Sequence, residues 1–351
     1  VTEPEIVIAG RAIGRAHPPY VIAELSGNHN GELERAAQLV RVAAEAGADA
    51  VKVQTYTADT LTIDADTQWF TIGEGTLWSR RRLHDLYAEA ATPWEWFPEL
   101  QRVADDAGIA FFSTPFDSTA VEFHEQLGLP AHKIASFEIV DHELIACAAA
   151  TGRPLLMSTG MASVAEIDEA VQVARQAGCE QLALLHCNSA YPAPVGEMHL
   201  RTIPHLGQTW GVPSGLSDHS LGIAVAVAAV ALGASIIEKH VTLARADGGP
   251  DSAFSLEPDE FHQLVVSVAD AHGALGGVHY GPTVHERNSL AFRRSLFVVA
   301  DVPEGGTLTR DNVRSIRPGH GLPPKYLPTV LGRSAVRPLE RGMPLSWADL
   351  A

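Results

Sequence analysis

Short apolar runs alternate with longer amphipathic stretches along most of this chain. Tyr20 to Ala23, Ala50 to Gln54, Ala110 to Thr114, Lys133 to Ala135, Leu155 to Ser158, Leu182 to His186, Val212 to Leu216 and Ile236 to His240 read as short buried strands, most of them rich in Val, Ile, Leu or Phe. Between most of them the apolar positions recur at helical spacing, over Glu32 to Ala46, Trp94 to Ala107, Thr119 to Leu127, Glu143 to Thr151, Ser163 to Gln176 and Leu221 to Leu232. Ser163 and Glu166 form a capping box, and Glu257-Pro258 opens a last helix through Ala274. Eight strands mostly followed by helices predict an α/β fold, a (β/α)8 TIM barrel, which carries its functional groups at the C-terminal strand ends. The stretch from Glu5 to Gly14, broken at Gly10, predicts a hairpin that caps the base.

Two segments break the rhythm. Ala58 to Pro93 is too long for a simple connection and predicts a lid over the barrel mouth or a subunit contact; its run Arg80-Arg81-Arg82 reads as a solvated helix face. Beyond Ala274 come Gly, Pro and short strand-like runs, at Leu296 to Val299, Thr307 to Leu308, Val313 to Ile316 and Val336 to Pro338, with turns at Gly305-Gly306 and Arg341-Gly342. The expected organisation is a barrel over 1–280, a linker over 281–293 and a small domain over 294–351.

Barrel strands are apolar on both faces, so the positions of polar residues are informative. They fall at strand ends: Glu24; Lys52 and Gln54; Ser113 and Thr114; Lys133 with Ser136 and Glu138; Ser158 and Thr159; and His186 with Asn188, Ser189 and Tyr191. Lys52 and Gln54 are two apart, as are Glu238 and His240, so each pair shares a strand face. Two lysines facing hydroxyls make a phosphate or carboxylate cradle, and Ser158-Thr159-Gly160 adds a turn where backbone N–H groups can approach an anion. Lys52 reads equally as the partner of a buried carboxylate. His219 and His240 close the seventh and eighth strand regions, joined by one helix, so adjacent strands would bring two imidazoles to one rim. Either histidine alone reads as a packed core residue; the pair fits a divalent cation whose other positions go to water and substrate, as a Lewis acid requires.

Charge and cysteine content narrow the setting. With 25 Lys and Arg against 42 Asp and Glu, the net charge of −17 argues against a general nucleic-acid or anionic-membrane binder, so an anionic ligand needs a local positive pocket. Cys147, Cys179 and Cys187 lack zinc-type spacing and read as reduced thiols. With no signal-type start and no bilayer-length apolar run, the expectation is a soluble, cytoplasmic protein.

The strand-end motifs also carry a resemblance. Ala23-Glu24-Leu25-Ser26-Gly27-Asn28-His29-Asn30-Gly31, Val51-Lys52-Val53-Gln54-Thr55, Ser113-Thr114-Pro115-Phe116, Lys133-Ile134-Ala135-Ser136-Phe137-Glu138, Ser158-Thr159-Gly160-Met161, Gly215-Leu216-Ser217-Asp218-His219 and Glu238-Lys239-His240 resemble, in order and spacing, the motif series of the sialic acid synthase family. Arg293-Arg294-Ser295-Leu296 and Arg317-Pro318-Gly319-His320-Gly321-Leu322 resemble the antifreeze-like (SAF) domain that follows the barrel in that family. Within it, Thr92-Pro93-Trp94-Glu95-Trp96 and Asp251-Ser252-Ala253-Phe254-Ser255-Leu256 are among the stretches similar to the pseudaminic acid branch. Sialic-type members usually have Asn where Ser189 stands and a different residue after the counterpart of Asp251, which favours a 6-deoxy diacetamido hexose over N-acetylmannosamine.

The resemblance implies condensation of phosphoenolpyruvate with an open-chain acetamido sugar to a nine-carbon 2-keto acid and phosphate. The implied acceptor is 2,4-diacetamido-2,4,6-trideoxy-L-altrose, with N-acetylneuraminate or legionaminate synthesis as the alternative. It implies Mn²⁺ or Mg²⁺ on His219 and His240; Lys52, Thr114, Lys133, Ser136, Ser158 and Ser189 around phosphoenolpyruvate; and Glu24, Gln54, Tyr191 and Asp251 facing the sugar. Glu138 handles the water or aldehyde proton, or else orients Lys133. A domain-swapped homodimer is implied in which Arg317 reaches the sugar of the other chain's barrel; an exposed loop arginine is the alternative. More distant readings are a barrel metal hydrolase, disfavoured by the paired lysines and by the lack of a His-x-His at the first strand's end, and a non-catalytic saccharide- or ice-binding protein, which leaves the polar mouth unexplained.

Overall fold

In the computed structural model, which describes residues 3–351, all eight apolar runs are strands of one closed parallel barrel. A hairpin comes first, β1 (Glu5–Ile8) with β2 (Arg11–Gly14). The barrel strands are β3 (Tyr20–Glu24), β4 (Ala50–Thr55), β5 (Ala110–Pro115), β6 (His132–Ile134), β7 (Leu155–Ser158), β8 (Leu182–Cys187), β9 (Ser214–Asp218) and β10 (Ile236–His240). Each pairs with the next in sequence, and β10 closes on β3 with His240 opposite Glu24.

The apolar content is partitioned by height. At the strand starts, Tyr20, Ile22, Ala50, Phe112 and Leu156 pack against Ile6, Ile8 and Ile13 of the hairpin, so the base is sealed as expected. Each large apolar side chain removed from water there contributes on the order of 1.5–3 kcal/mol. Outside the strands, the helices bury their apolar stripes in two further clusters, one of them joining Leu39, Val40, Leu100, Phe261 and Leu264. Most polar side chains that point into the barrel therefore lie at the other rim.

Gly215, near the start of β9, illustrates how tightly the strands are drawn together. A side chain there would run into the Ile236 carbonyl of β10 and meet Leu185 of β8, so only glycine lets β9 lie this close to the strands on either side.

Several expectations change in detail. The seventh strand starts at Ser214 rather than Val212, because Pro213 has no N–H for a ladder. A helix at Thr202–Trp210 follows β8, where the apolar pattern gave none; Pro204 lies in its first turn, where the missing N–H costs nothing, and left-handed Gly211 ends it. Arg80 to Arg82 precede the helix Leu83–Ala90 rather than forming a helix face, and each pairs with an acid of the same segment: Glu74, Glu89 and Asp64. Val336 to Pro338 is a bend rather than a strand, with Val336 exposed and bridge positions only on either side, at Ala335 and Leu339.

The chain divides after Gly276. In the second unit β11 (Ser295–Val298) pairs antiparallel with β12 (Val313–Ile316), and Leu296, Val298, Leu308, Val313, Val330 and Leu345 share a small core. The loop after β12 is shaped by Ser295, whose hydroxyl donates to the Pro318 carbonyl (2.6 Å) and accepts from the Gly321 N–H (2.9 Å). Arg317, at the head of that loop, is exposed. Among the described residues no helix is long and apolar enough to cross a membrane.

Candidate active site

The C-terminal strand ends surround a cavity of about 430 Å³, within the range of small-molecule sites. Glu24, Lys52, Gln54, Thr114, Lys133, Ser136, Glu138, Ser158, Tyr191, His219, His240 and Asp251 all line it. Strand alternation explains the set: Lys52 and Gln54 of β4, and Glu238 and His240 of β10, project inward from every second position.

Two ammonium groups form its floor. Lys52 Nζ lies 2.5 Å from Glu24 Oε2 and donates to Thr114 Oγ1 at 2.9 Å. Lys133 Nζ donates to Ser158 Oγ at 2.7 Å and to the Ile134 carbonyl at 3.2 Å. Glu238 bridges them, with one carboxylate oxygen 3.9 Å from Lys52 Nζ and the other 3.8 Å from Lys133 Nζ, while Ser217 Oγ donates to it at 3.0 Å. Sequence reasoning placed Glu238 on the correct strand face but assigned it no role; the i, i+2 spacing to His240 was the available signal. The carboxylate within ion-pair distance of Lys133 is thus Glu238, while Glu138 also lines the cavity and feels the charge of that lysine.

Burial sets the protonation of this floor. It pushes the Glu24 carboxyl above the usual carboxylate range, with Lys52 opposing and Glu238 adding. Burial pulls Lys133 below the ordinary ammonium value, against the attraction of Glu238. For Lys52 burial acts in the same sense, but Glu238 and Glu24 outweigh it and hold the ammonium above its usual value. Glu138, largely desolvated, is pushed up to about 7, and its Oε2 is buried without a hydrogen-bond partner among the described residues.

The histidines do converge, because β9 and β10 are paired neighbours. Their rings lie 5.3 Å apart, centroid to centroid. His219 donates its Nδ1–H to the Asn188 carbonyl at 3.0 Å, so Nε2 is the nitrogen that can face a cation. Burial disfavours its charged form, but Cys187, this hydrogen bond and Glu238 outweigh it and hold the imidazole above its ordinary range, so a cation bound there would displace a proton. His240 Nδ1 is buried with no hydrogen-bond partner among the described residues. Burial, with His219 and nearby lysines adding, keeps His240 well below the ordinary imidazole range, so it is neutral as a metal ligand must be. These features fit a divalent cation held by two imidazoles. Among the described residues no cluster of three or more His, Cys, Asp or Glu has metal-holding geometry, so a cation here would have only these two protein ligands and its other positions would be open to water or a ligand.

A further set of polar groups forms the rest of the wall. Gln54 Nε2 donates to Glu24 Oε1 at 2.8 Å, Ser26 Oγ donates to half-buried Asp251, and the Tyr191 ring lies 4.4 Å from that of His219. Gly160 leaves room that a side chain would fill against the Ser136 and Ser189 hydroxyls. Its N–H already donates to Ser136 Oγ at 3.1 Å, so that turn shapes the cradle rather than offering this donor to an anion.

Some expected residues do not reach the cavity. His186 points away from it and binds the Met198 carbonyl at 2.6 Å, because Cys187 takes the inward position on β8. Asn188 bonds back to the Glu197 carbonyl at 3.2 Å. Ser189 stands behind the lining, 3.8 Å from Cys187 Sγ. Arg317 belongs to the second unit. Sequence reasoning missed Ser26, Phe116, Cys187 and Ser217 as lining groups.

Comparison with known proteins follows the same division of the chain. The NeuB family matches residues 39–280 and the SAF domain residues 293–351. The chain is 41% identical to the pseudaminic acid synthase of Helicobacter pylori over 95% of its own length and 98% of the relative's. It is 40% identical to the pseudaminic acid synthase of Campylobacter jejuni over 94% of this chain and 96% of that one. The crystal structure of the N-acetylneuraminic acid synthetase of Leptospira borgpetersenii superposes with a TM-score of 0.73 at 32% identity, covering 82% of this chain and 95% of that one.

Proposed function

The chain belongs to the NeuB family, and from that premise we propose that it condenses phosphoenolpyruvate with an open-chain acetamido sugar. The products are a nine-carbon 2-keto acid and inorganic phosphate. The observation that carries this reading is the joining, in one cavity, of a two-lysine, two-hydroxyl cradle with a two-histidine pair. A cradle alone fits any phosphate compound; the histidine pair beside it fits a second, carbonyl-bearing substrate.

Lys52 and Lys133, with Thr114, Ser136 and Ser158, hold the phosphate and carboxylate of phosphoenolpyruvate, ammonium groups supplying charge and hydroxyls supplying direction, while Ser189 stands behind them and does not touch it. Glu238 favours the charged form of both lysines while the site is empty of anion. His219 and His240 would hold a divalent cation, Mn²⁺ or Mg²⁺, which when bound would supply Lewis-acid polarisation of the sugar aldehyde. Glu24, Gln54, Tyr191 and Asp251 orient the open-chain sugar so that its C1 meets C3 of phosphoenolpyruvate. The new C–C bond takes the enol π electrons, the aldehyde oxygen gains a proton, water adds at C2, and the C2–O bond to phosphate breaks to leave the ketone. The acceptor that fits the pseudaminic-type relatives is 2,4-diacetamido-2,4,6-trideoxy-L-altrose. The working unit is a homodimer in which Arg317 of one chain serves the barrel of the other, acting in the cytoplasm.

Glu138 gives the proton to the aldehyde oxygen. Its folded carboxyl keeps that proton up to a pH of about 7, so kcat/KM for phosphate release falls as pH rises through 7. Glu138→Gln is expected to lose about 10²–10⁴ in rate and to flatten this limb. A falling limb that survives in Glu138→Gln assigns the proton to another group.

The decisive experiment is phosphate release from phosphoenolpyruvate with a panel of amino sugars, with and without chelator, and mass spectrometry of the product. Release with the trideoxy-L-altrose that chelator abolishes is expected. Release confined to N-acetylmannosamine or to the gluco or manno diacetamido sugars reassigns the acceptor to the neuraminate or legionaminate type. No release with any aldose removes the condensation reading.

A further inference from the structure

The cavity has two chemically opposite sides. Its floor is built of charged and hydroxyl groups from the strand ends, whereas the segment 58–93, which follows β4, contributes Leu61, Ile72, Trp78, Leu83, Leu86 and Ala90. Apart from the Tyr87 phenol, no lining residue of this segment carries an ionisable or hydroxyl group.

That is not a consequence of an apolar segment. The same stretch is rich in charge, but its charged groups are turned away from the cavity and occupied with one another: Arg80 with Glu74 at 2.6 Å, His84 with Asp59 at 3.1 Å, Arg81 with Glu89 and Arg82 with Asp64. Trp78, the one lining residue with an indole donor, spends it on the Pro250 carbonyl at 2.8 Å, while its ring lies 5.4 Å from that of Tyr191. The inner face of the segment therefore offers van der Waals contact and almost no hydrogen bond. Phe116 and Phe137, from the loops after β5 and β6, extend it.

A sugar whose aldehyde stands at the histidine pair directs its chain away from the strand ends. The carbon that meets this apolar face gains from being a methyl group, and a hydroxyl brought there gives up water without a protein partner. Resting on the synthase reading, we propose that the inner face of 58–93 selects the acceptor by the apolar end of its chain. Ile72, Leu83 and Leu86 discriminate a C6 methyl from a C6 hydroxymethyl. The segment is thus a specificity wall as well as a cover, and the floor, common to any condensation with phosphoenolpyruvate, carries none of this choice.

The size of the effect is bounded. An apolar pocket rejects an analogue that only adds a hydroxyl by about 10² at most, far less than a site built to hydrogen-bond a hydroxyl rejects its absence. The expected preference is about 10- to 100-fold in kcat/KM.

The test compares phosphate release with 2,4-diacetamido-2,4,6-trideoxy-L-altrose and with its 6-hydroxy counterpart of the same configuration, on the full chain with metal. Wild type is expected to favour the deoxy sugar. Ile72→Thr, which keeps the β-branch at a half-buried position while replacing the longer arm by a hydroxyl, and Leu83→Asn, close in size, are expected to shrink the ratio at least several-fold while leaving the KM for phosphoenolpyruvate in place, which a general loss of structure would move. If one variant does not fold, the other is read. Equal kcat/KM for the two sugars in wild type, or a ratio that neither folded variant changes, overturns the wall and leaves the condensation reading standing. Release with neither these sugars nor any other aldose overturns both.

Discussion

Lys133→Met is expected to lower kcat/KM for phosphoenolpyruvate by about 10²–10³ or more, the scale of removing one charge-stabilising donor from a water-poor site. Lys133 is buried at the cavity wall, where its hydrogen bonds to Ser158 and the Ile134 carbonyl fix the ammonium. Methionine keeps the length and loses the charge. Glu238 then has only Lys52 nearby, at 3.9 Å, so some stability is lost as well. Steady-state kinetics with a thermal melt separates the two effects: the loss has to persist well below the variant's melting temperature. An unchanged kcat/KM removes Lys133 from the phosphate site. The same variant tests the dimer. Mixed with Arg317→Ala, itself inactive if Arg317 serves the other chain, it is expected to regain part of the wild-type rate, because each mixed dimer then holds one intact site. No regain places Arg317 in its own chain's site or outside the chemistry.

His240→Ala is the second large effect. With two imidazoles supplying the protein ligands, removing one leaves His219 alone, and affinity for Mn²⁺ is expected to fall by more than the roughly 10- to 100-fold typical of losing a group behind a ligand. Titration of Mn²⁺ into chelator-treated protein reads this directly, without reference to turnover. A second readout is thermal: saturating metal raises the melting temperature of wild type by mass action and is expected to raise that of the variant far less. Because His240 Nδ1 has no hydrogen-bond partner among the described residues, the truncation strands no group bonded to that nitrogen. Equal metal affinity in the two proteins would show that the cation, if bound, sits elsewhere.

Much of the fold and much of the site were legible in the chain. Buried parallel strands need continuous apolar runs, so the eight runs announced themselves, and a polar residue ending such a run has few places to be except the rim. That logic identified Lys52, Lys133 and the histidine pair correctly as cavity groups. It failed at His186, where a shift of one residue decides which of two neighbours, His186 or Cys187, points inward; sequence composition favoured the histidine and the strand's phase chose the cysteine. It failed too at Thr202–Trp210, where Pro204 and Gly207 disguised a helix whose stability comes from packing Ile203, Leu206 and Trp210 rather than from propensity.

The sequence by itself determined the element order, the barrel, the polar rim and the kinds of chemical group available there, because periodicity and the cost of burying unpaired polar atoms are local properties of the chain. Only the tertiary structure decided which group serves which. It made Glu238 the carboxylate between two lysines, bonded His219 Nδ1 to the Asn188 carbonyl, and turned the apolar residues of 58–93 toward the cavity while their charged neighbours paired outside. Each of those outcomes depends on distances between residues far apart in sequence, and electrostatic and hydrogen-bond energies are set by distance and burial rather than by order along the chain.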